Sequence, residues 1–258
     1  MKQIESRNNP IIKRALKAIN NPNSENLIVV EGHKLLGEAI KSGAKPEMIF
    51  VVDEKDELVT IKTIHFDNIT YKISKGLMHE LSTVQTPGNI IAFLTPCPTL
   101  SLEDIVKEAE MLVVLDRLQD PGNIGTIIRT SEALGVSAII LLNGCCNSNN
   151  HKVIRAAMGS SFRLPVIPNV DVKNLFNLLN KNNYMTICAD MNGTNIVNYK
   201  FAEKSALFMG QEGQGLSAYI IANCRSRIAI PMCGQVESLN VATSTAICLY
   251  EWSRSRIP

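Results

Sequence analysis

The sequence predicts an α/β protein with two domains, the larger of which is built on a parallel sheet. From residue 107 to the end, short apolar segments of strand length alternate with amphipathic segments of helical period. That alternation is typical of a parallel sheet with helices on both faces. Residues 95–99 contain two prolines, which interrupt regular structure because proline lacks an N–H and restricts the residue before it. We therefore expect a first domain at residues 1–95, a linker at 96–106 and a second domain at 107–258.

The composition is that of an ordinary globular protein, with 258 residues, 45% apolar and 19% charged. A formal net charge of +2 neither favours nor excludes a nucleic-acid partner, which needs a local basic face. Seven cysteines without a Cys-x-x-Cys pair and four scattered histidines give no metal-ligand spacing. We expect no bound metal and reduced thiols in a cytoplasmic protein. The polar N-terminus and the lack of a long apolar run predict neither a signal peptide nor a membrane partner.

The first domain is predicted as a small α/β unit with a basic start. The expected helices are residues 9–19, 32–42 and 73–81, and the expected strands are 27–31, 48–52, 63–66 and 89–94. Arg7, Lys13 and Arg14 give residues 1–20 a basic side. This side could meet the phosphates of a nucleic acid, or it could be an ordinary solvated helix face.

The second domain is predicted to have six strands, and three of them end in unusual loops. The expected strands are residues 111–116, 136–142, 163–167, 184–189, 206–209 and 227–231; the expected helices are 123–134, 152–158, 172–180, 217–223 and one beginning after residue 240. Ligands of parallel sheets bind beyond the carboxyl ends of the strands. The loops at residues 116–129, 209–216 and 230–240 are therefore the candidate site.

Each of the three loops has its own chemistry. In the first, Asn123 is of a type that caps a helix, and Arg129 lies off the apolar face of that helix. In the second, three glycines within six residues allow close approach of the backbone to a ligand. Their spacing matches neither a P-loop nor a dinucleotide-binding loop. In the third, Ser238 and Asn240 are capping types before the last helix, whose free N–H groups can hold a polar ligand.

Taken in order, these loops resemble the three motifs of the SpoU (TrmH-like) family of RNA ribose 2′-O-methyltransferases, which belong to the SPOUT class. Residues 116–129 resemble motif one, 207–216 motif two and 228–240 motif three, and 152–165 are similar to a further family segment. Residues 1–95 resemble the family's ribosomal-protein-like substrate-binding domain, notably at 30–32, 38–43 and 86–88.

The resemblance implies an S-adenosylmethionine-dependent enzyme with a deep trefoil knot, assembled as a homodimer through the C-terminal domain with the motif-three helix in the interface. It implies that backbone and side chains near the knot hold the adenosine part of the cofactor, namely Met209, Gly210, Ile230, Met232 and Leu239. It also implies a polar catalytic set of Asn123, Arg129, Glu212, Ser238 and Asn240.

The roles implied for this set are distinct. Arg129 would bind the phosphate of the target nucleotide and contact the 2′-oxygen, acting electrostatically because a guanidinium is normally protonated. Asn123 and Asn240 would position the ribose and the loops. Glu212 would anchor Arg129 or the motif-one loop, and Ser238 would cap the last helix.

RNA is the expected partner, and ribosomal RNA is favoured over transfer RNA because the N-terminal domain resembles that of the ribosomal enzymes. Phosphate contacts are expected from basic residues in both domains: Arg7, Lys13, Arg14, Lys152, Arg155 and Arg163. A transfer-RNA enzyme, an antibiotic-resistance enzyme acting on ribosomal RNA and a non-catalytic RNA-binding module remain alternatives. A base methyltransferase of another SPOUT branch is disfavoured by the polar set, and a nucleotide-using oxidoreductase or kinase by the glycine spacing.

Overall fold

The computed structural model describes residues 2–21, 25–52, 66–96, 100–236 and 238–254. The chain forms two compact units. Unit 1 comprises Met1–Pro98 together with Asn149–Phe162, and unit 2 comprises Thr99–Ser148 together with Arg163–Pro258. The segment Asn149–Phe162 lies in the middle of the region expected as the second domain, yet it packs as part of unit 1.

Unit 1 is a five-stranded mixed sheet with helices on its two faces. The strand order is β1-β4-β3-β5-β2, in which β5 runs antiparallel to β2 and β3. The elements are β1 (Lys2–Ile4), α1 (Pro10–Asn20), β2 (Ile28–Glu31), α2 (His33–Lys41), β3 (Lys45–Val51), β4 (Thr70–Ile73), α3 (Lys75–Leu81) and β5 (Ile90–Thr95).

Two apolar cores lie on opposite faces of this sheet, because successive strand residues point to opposite sides. Phe50 and Phe93 pack in one core with Ile12 of α1. Ile49, which precedes Phe50 in β3, packs in the other core, which α2 covers. Residues 149–162 add to this second core through a helix at His151–Ala157 and a 3₁₀ turn at Ser160–Phe162.

Three expectations for the N-terminal region differ from the structure. Residues 63–65 of the strand expected at 63–66 lie outside the described residues, and the strand of this region that the structure describes is β4, Thr70–Ile73. The helix expected from residue 73 begins after Ser74, whose Oγ accepts from the Leu77 N–H at 3.2 Å. The expected linker 96–106 contains most of a short helix, α4 (Leu102–Glu108), capped by Ser101.

Unit 2 is a six-stranded sheet, and each strand pair in it is parallel. The strand order is β11-β9-β10-β6-β7-β8. After α4 come β6 (Met111–Asp116), α5 (Pro121–Ala133), β7 (Ala138–Leu142), β8 (Val166–Val170), α7 (Val172–Lys181), β9 (Met185–Asn195), β10 (Ser205–Gly210), α8 (Ala218–Asn223), β11 (Ser226–Ala229) and α9 (Val241–Arg254); the helix His151–Ala157 of unit 1 is α6. The predicted parallel sheet is confirmed.

The register of the central strands sets the position of the site. Asp116 at the end of β6 pairs with Gly210 at the end of β10, so the loops that follow these two strands start side by side. β9 continues past its expected end at residue 189 as far as Asn195 and shifts register against β11. Among the described residues, no helix combines the length and the apolar character needed to cross a bilayer.

Candidate active site

A pocket of about 470 Å³ opens at the carboxyl edge of the unit 2 sheet; we call it the strand-end pocket. The ends of β9, β10 and β11 and the start of α9 form its walls. All five residues expected to hold the cofactor line it: Met209, Gly210, Ile230, Met232 and Leu239. Glu212 and Ser238 of the expected catalytic set line it as well. Residues from the second and third loops therefore meet around one cavity, although they lie up to 30 positions apart in the chain.

The glycine-rich loop after β10 folds tightly back on itself. A Cβ placed on Gly210 would overlap the backbone of Gly215 and Leu216, so this position has room only for glycine. The Gly215 N–H donates to the Gln211 carbonyl at 3.0 Å, and Gly215 adopts a positive φ of 64°. The resulting turn presents backbone at the pocket wall, which is the use of glycine that the sequence predicted.

Glu212 joins the three loops through its carboxylate. Its Oε1 accepts from Asn123 Nδ2 at 3.0 Å and from Asn240 Nδ2 at 2.5 Å, and the Val241 N–H lies 3.4 Å away. Asn240 Nδ2 also donates to Asn123 Oδ1 at 2.9 Å. We call Asn123, Glu212 and Asn240 the Asn–Glu cluster. One residue comes from each of the three predicted motifs, so the cluster fixes their loops relative to one another.

The two expected helix caps are wrong in detail, and the differences explain how the cluster forms. Asp120 rather than Asn123 caps α5, because its Oδ1 accepts from the Asn123 N–H at 2.7 Å. The Asn123 side chain is thereby free to reach Glu212. Asn240 rather than Ser238 caps α9, since its Oδ1 accepts from the N–H groups of Ala242 at 2.9 Å and Thr243 at 3.2 Å.

Arg129 stands apart from the Asn–Glu cluster. It is exposed on α5, does not line the strand-end pocket, and makes no hydrogen bond or ion pair with any other described residue. Of the two partners expected for Glu212, the motif-one loop is the one it holds, through Asn123, rather than Arg129. The guanidinium of Arg129 is accordingly available to a ligand.

The sequence did not predict a set of ionic and hydrogen-bond contacts that joins the first two loops. The carboxylate of Asp116, a residue that is 4% exposed, accepts from the Ser217 N–H at 2.8 Å and from two nitrogens of Arg117, each at 3.2 Å. Arg117 Nη2 also reaches the Gly215 carbonyl at 3.4 Å. A charged residue that ends a fully apolar strand was the available signal, because buried carboxylates are almost always paired.

The end of β9 is a second part of the site that the sequence did not reveal. Residues 189–192, including the Asp190 carboxylate, line the strand-end pocket. A little further on, a Cβ on Gly193 would fall 2.5 Å from the Ile228 carbonyl carbon, so β9 passes β11 at very close range there. The polar run that begins at Asp190 gave no strand signal, which is why this wall was not expected.

The six cations expected to contact RNA fall into two groups. Three of them are held by carboxylates of their own unit: Arg7 by Glu80 at 2.9 Å, Arg14 by Glu47 at 2.6 Å and Glu25 at 3.1 Å, and Arg163 by both oxygens of Glu132. The other three, Lys13, Lys152 and Arg155, are exposed and have no ion pair with any described residue. Exposed cations without a carboxylate are the ones free to bind phosphate.

The acidic partners of Arg14 keep their charge. The hydrogen bond from Lys17, followed by that from Arg14, lowers the pKa of Glu25. The hydrogen bond from Thr95 and then that from Arg14 lower the pKa of Glu47 against the opposing effect of burial. Both carboxylates are therefore ionised near neutral pH, and they neutralise Arg14 and Lys17 on α1 while Lys13 keeps its free charge.

Comparison with known families assigns the class of protein. Residues 110–250 match the SpoU rRNA Methylase family, and residues 9–92 match the MRM3-like substrate binding domain. The chain belongs to the SpoU rRNA methylase family and is an RNA methyltransferase of the SPOUT class. The predicted family, the α/β fold and the enzyme class are thereby confirmed.

Individual relatives match over nearly the whole chain. The chain is 31% identical to the 23S rRNA (guanosine(2553)-2′-O)-methyltransferase RlmP of Bacillus subtilis strain 168, over 97% of this chain and 98% of that protein. The AdoMet-bound crystal structure of an rRNA methyltransferase from Sinorhizobium meliloti superposes with a TM-score of 0.88 at 26% identity, covering 100% of this chain and 99% of that one. A solved RNA 2′-O ribose methyltransferase gives a TM-score of 0.83 at 25% identity, covering 98% and 99%.

Proposed function

We propose that this protein transfers a methyl group from S-adenosylmethionine to a ribose 2′-hydroxyl of RNA, with 23S-type ribosomal RNA as its substrate. The observation that carries the proposal is the Asn–Glu cluster beside the strand-end pocket, where residues from all three motif loops are joined. The relative from Bacillus subtilis, whose name gives a 23S ribosomal RNA and a 2′-O position, supports the choice of RNA and of reacting atom.

The strand-end pocket fits S-adenosylmethionine. Its volume of about 470 Å³ lies within the range of small-molecule sites. Apolar side chains such as Ile230, Met232 and Leu239 can cover the adenine, while the backbone around Gly210 offers hydrogen bonds to its edge. The carboxylates of Asp190 and Glu212 complement the positive charge of a sulfonium ligand. When bound, this cofactor supplies an electrophilic methyl group.

The chain's own residues have to position and activate a poor nucleophile. A ribose hydroxyl needs an in-line approach and stabilisation of the charge that develops on its oxygen. Arg129, exposed and without a partner among the described residues, binds the target phosphate and stabilises this charge as a permanent cation. Asn123 and Asn240 hold the loops and the ribose, Glu212 locks both amides in place, and Ser238 offers a hydroxyl at the pocket wall.

The RNA contacts are assigned by charge. Lys13, Lys152 and Arg155 contact phosphates directly because no described carboxylate neutralises them. Arg7, Arg14 and Arg163 contribute only where RNA displaces the acids that hold them. Such contacts orient the RNA without reading its sequence.

The assembled enzyme is proposed to be a knotted homodimer that acts in the cytoplasm. The motif-three helix α9 forms the interface between the two copies. Six described cysteines are free thiols, which is the usual state in a reducing compartment.

Transfer of a labelled methyl group tests the proposed reaction. The enzyme is incubated with labelled S-adenosylmethionine and total RNA from cells that lack this gene, and the RNA is separated by size. Label in large ribosomal RNA, at a linkage that resists alkaline cleavage, is the expected result. Label in transfer RNA would overturn the substrate, and cofactor binding without labelling of RNA or of ribosomal subunits would favour a non-catalytic binding protein.

Arg129→Ala tests the catalytic assignment. We expect it to abolish methyl transfer, a loss of about 100-fold or more as for other single groups that stabilise developing charge, while calorimetry shows unchanged cofactor affinity. Lys173→Ala, which removes another exposed cation of unit 2, serves as the matched control. An Arg129→Ala enzyme with activity close to that of the control would contradict the role of this arginine.

A further inference from the structure

Glu31, at the end of β2, holds the loop between α3 and β5 in place. Its carboxylate accepts from Ser82 Oγ at 2.9 Å, from the Thr83 N–H at 2.8 Å and from Thr83 Oγ1 at 2.5 Å. Hydrogen bonds to a charged acceptor are stronger than those between neutral groups. The loop 82–88 therefore starts from a fixed point. Just beyond this anchor, the side chains of Gln85 and Thr86 are exposed.

Helix α6 lies beside this anchor within unit 1. It packs against β2, and its Ile154 shares an apolar core with Val30 of that strand. Glu31 is the last residue of β2, the strand against which α6 packs. Glu31 thus joins the loop to the strand that packs against the helix.

The side chains on the two elements are of complementary kinds. Lys152 and Arg155 of α6 are exposed cations without an ion pair to any described residue. Gln85 and Thr86 of the loop are uncharged donors and acceptors. By contrast, Arg14 and Lys17 on α1 are neutralised by Glu25 and Glu47. Of the three cations on α1, Lys13 alone has no ion pair with a described residue. Helix α6 carries two such cations within seven residues and is therefore the part with more free positive charge.

We propose that α6 and the loop 82–88 form the RNA-reading surface of unit 1, with Lys152 and Arg155 on phosphates and Gln85 and Thr86 on the edges of unpaired bases. This inference rests on the proposed function and adds to it the face that selects the substrate. Specific recognition of RNA targets unpaired nucleotides through the edges of their bases, while cations bind the backbone whatever its sequence. Glu31 is a positioning residue, because it acts through the loop it holds.

The proposed surface depends on the packing of α6 in unit 1. This packing is notable because α6 lies within residues 110–250, which match the methyltransferase family. A helix inserted between β7 and β8 of unit 2 is built into the core of unit 1. Its cations and the loop therefore belong to the same compact unit. Such a placement reduces the entropy that the protein loses when RNA binds.

Binding to two RNA probes separates the two halves of the surface. The probes are a 23S-type ribosomal RNA transcript and poly(U), each titrated at several salt concentrations. For a Lys152→Ala/Arg155→Ala variant we expect weaker binding to both probes by about tenfold or more. Loss of two phosphate contacts also lowers the slope of log Kd against log salt concentration by about 1.4 to 1.8. Lys17→Ala/Lys41→Ala removes the same charge from ion-paired lysines of unit 1 and serves as control.

The loop is tested by selectivity rather than by affinity. For Gln85→Ala/Thr86→Val we expect the preference for the ribosomal transcript over poly(U) to fall by about tenfold, since a lost base contact costs discrimination of this order, with poly(U) binding unchanged. Glu31→Gln should lower the same preference and raise the hydrogen-exchange rate of amides 82–84, with kcat at saturating RNA kept. Exposed substitutions at Gln85 and Thr86 leave the folded core intact, which a thermal melt verifies.

The outcomes separate this inference from the proposed function. If the wild-type enzyme methylates no RNA, the proposed function fails and the surface fails with it. If the wild-type enzyme methylates RNA but the α6 variant binds both probes like the control variant, only the surface is overturned. Unchanged selectivity in both the loop variant and Glu31→Gln would likewise remove the loop from RNA recognition.

Discussion

Arg117 has an unfavourable backbone conformation that allows its side chain to contact Asp116. Its φ is +56°, a left-handed value that costs a side-chain-bearing residue roughly 1 kcal/mol. The conformation lets the guanidinium bind the buried Asp116 carboxylate and reach the Gly215 carbonyl. Strain offset by contacts of this kind is found at functional sites. Here the contacts tie the motif-one loop to the glycine-rich loop.

Two substitutions separate the strain of Arg117 from its contacts. Arg117→Gly and Arg117→Ala both delete the guanidinium, so we expect both to weaken S-adenosylmethionine binding by about tenfold, roughly the worth of one charged hydrogen bond. Glycine tolerates the left-handed backbone, so Arg117→Gly should be more stable than Arg117→Ala by about 1 kcal/mol. Calorimetry and urea unfolding measure the two effects. Equal stability of the variants, or full cofactor affinity in both, would contradict this reading.

At the scale of elements, the glycine-rich loop depends on one position without a side chain. Gly210 lies where a Cβ would overlap the backbone of Gly215 and Leu216. Gly210→Ala must therefore displace the loop, with a cost of about 1–3 kcal/mol as for other overpacked sites and a large loss of cofactor binding. Thermal unfolding and cofactor titration measure these losses. Gly234→Ala, where a Cβ meets no atom within 4 Å, is the control and should leave both unchanged.

Most helices and strands of unit 2 could be predicted because the apolar pattern of each segment agrees with its burial in the folded protein. In β6 the whole run Met111–Asp116 is buried, as its apolar sequence indicates. The extension of β9 to Asn195 was missed because its polar residues carry no strand pattern, and only pairing with β11 makes them a strand. Asn123 and Asp120 are both good caps by type. Which one caps α5 depends on the contact of Asn123 with Glu212, and that contact is tertiary.

The place of α6 illustrates a limit of the same kind. Val153, Ile154 and Ala157 predict a helix with one buried face, and the helix forms at His151–Ala157. Periodicity states that such a face is buried but not which core receives it. The choice of unit 1 follows from the fit of Ile154 against Val30 and its neighbours. For a similar reason the sequence did not show that Glu25 and Glu47 hold Arg14 and Lys17 of α1, because both acids lie outside that helix.

At the scale of the whole molecule, helix α9 has two different faces. Cys248, Leu249 and Trp252 are buried, and the helix packs on α5. On another side of the helix, Ile247 is half-buried and Tyr250 is 55% exposed. Large apolar and aromatic side chains are enriched where proteins associate. We therefore expect this outer face to form the proposed homodimer interface.

Tyr250→Glu tests the homodimer and its link to activity. A carboxylate at the centre of an apolar interface loses its hydration without gaining a partner, so we expect the variant to be a monomer in sedimentation at micromolar concentration. Leu100→Glu adds the same charge at another exposed apolar residue of unit 2 and should leave the assembly unchanged. Because α9 begins at the Asn–Glu cluster, separation of the two copies should also lower methyl transfer by about tenfold or more, the scale of a modest displacement at a catalytic site. A Tyr250→Glu enzyme that sediments as a dimer would place the interface elsewhere, whereas a fully active monomer would show that each copy carries a complete site.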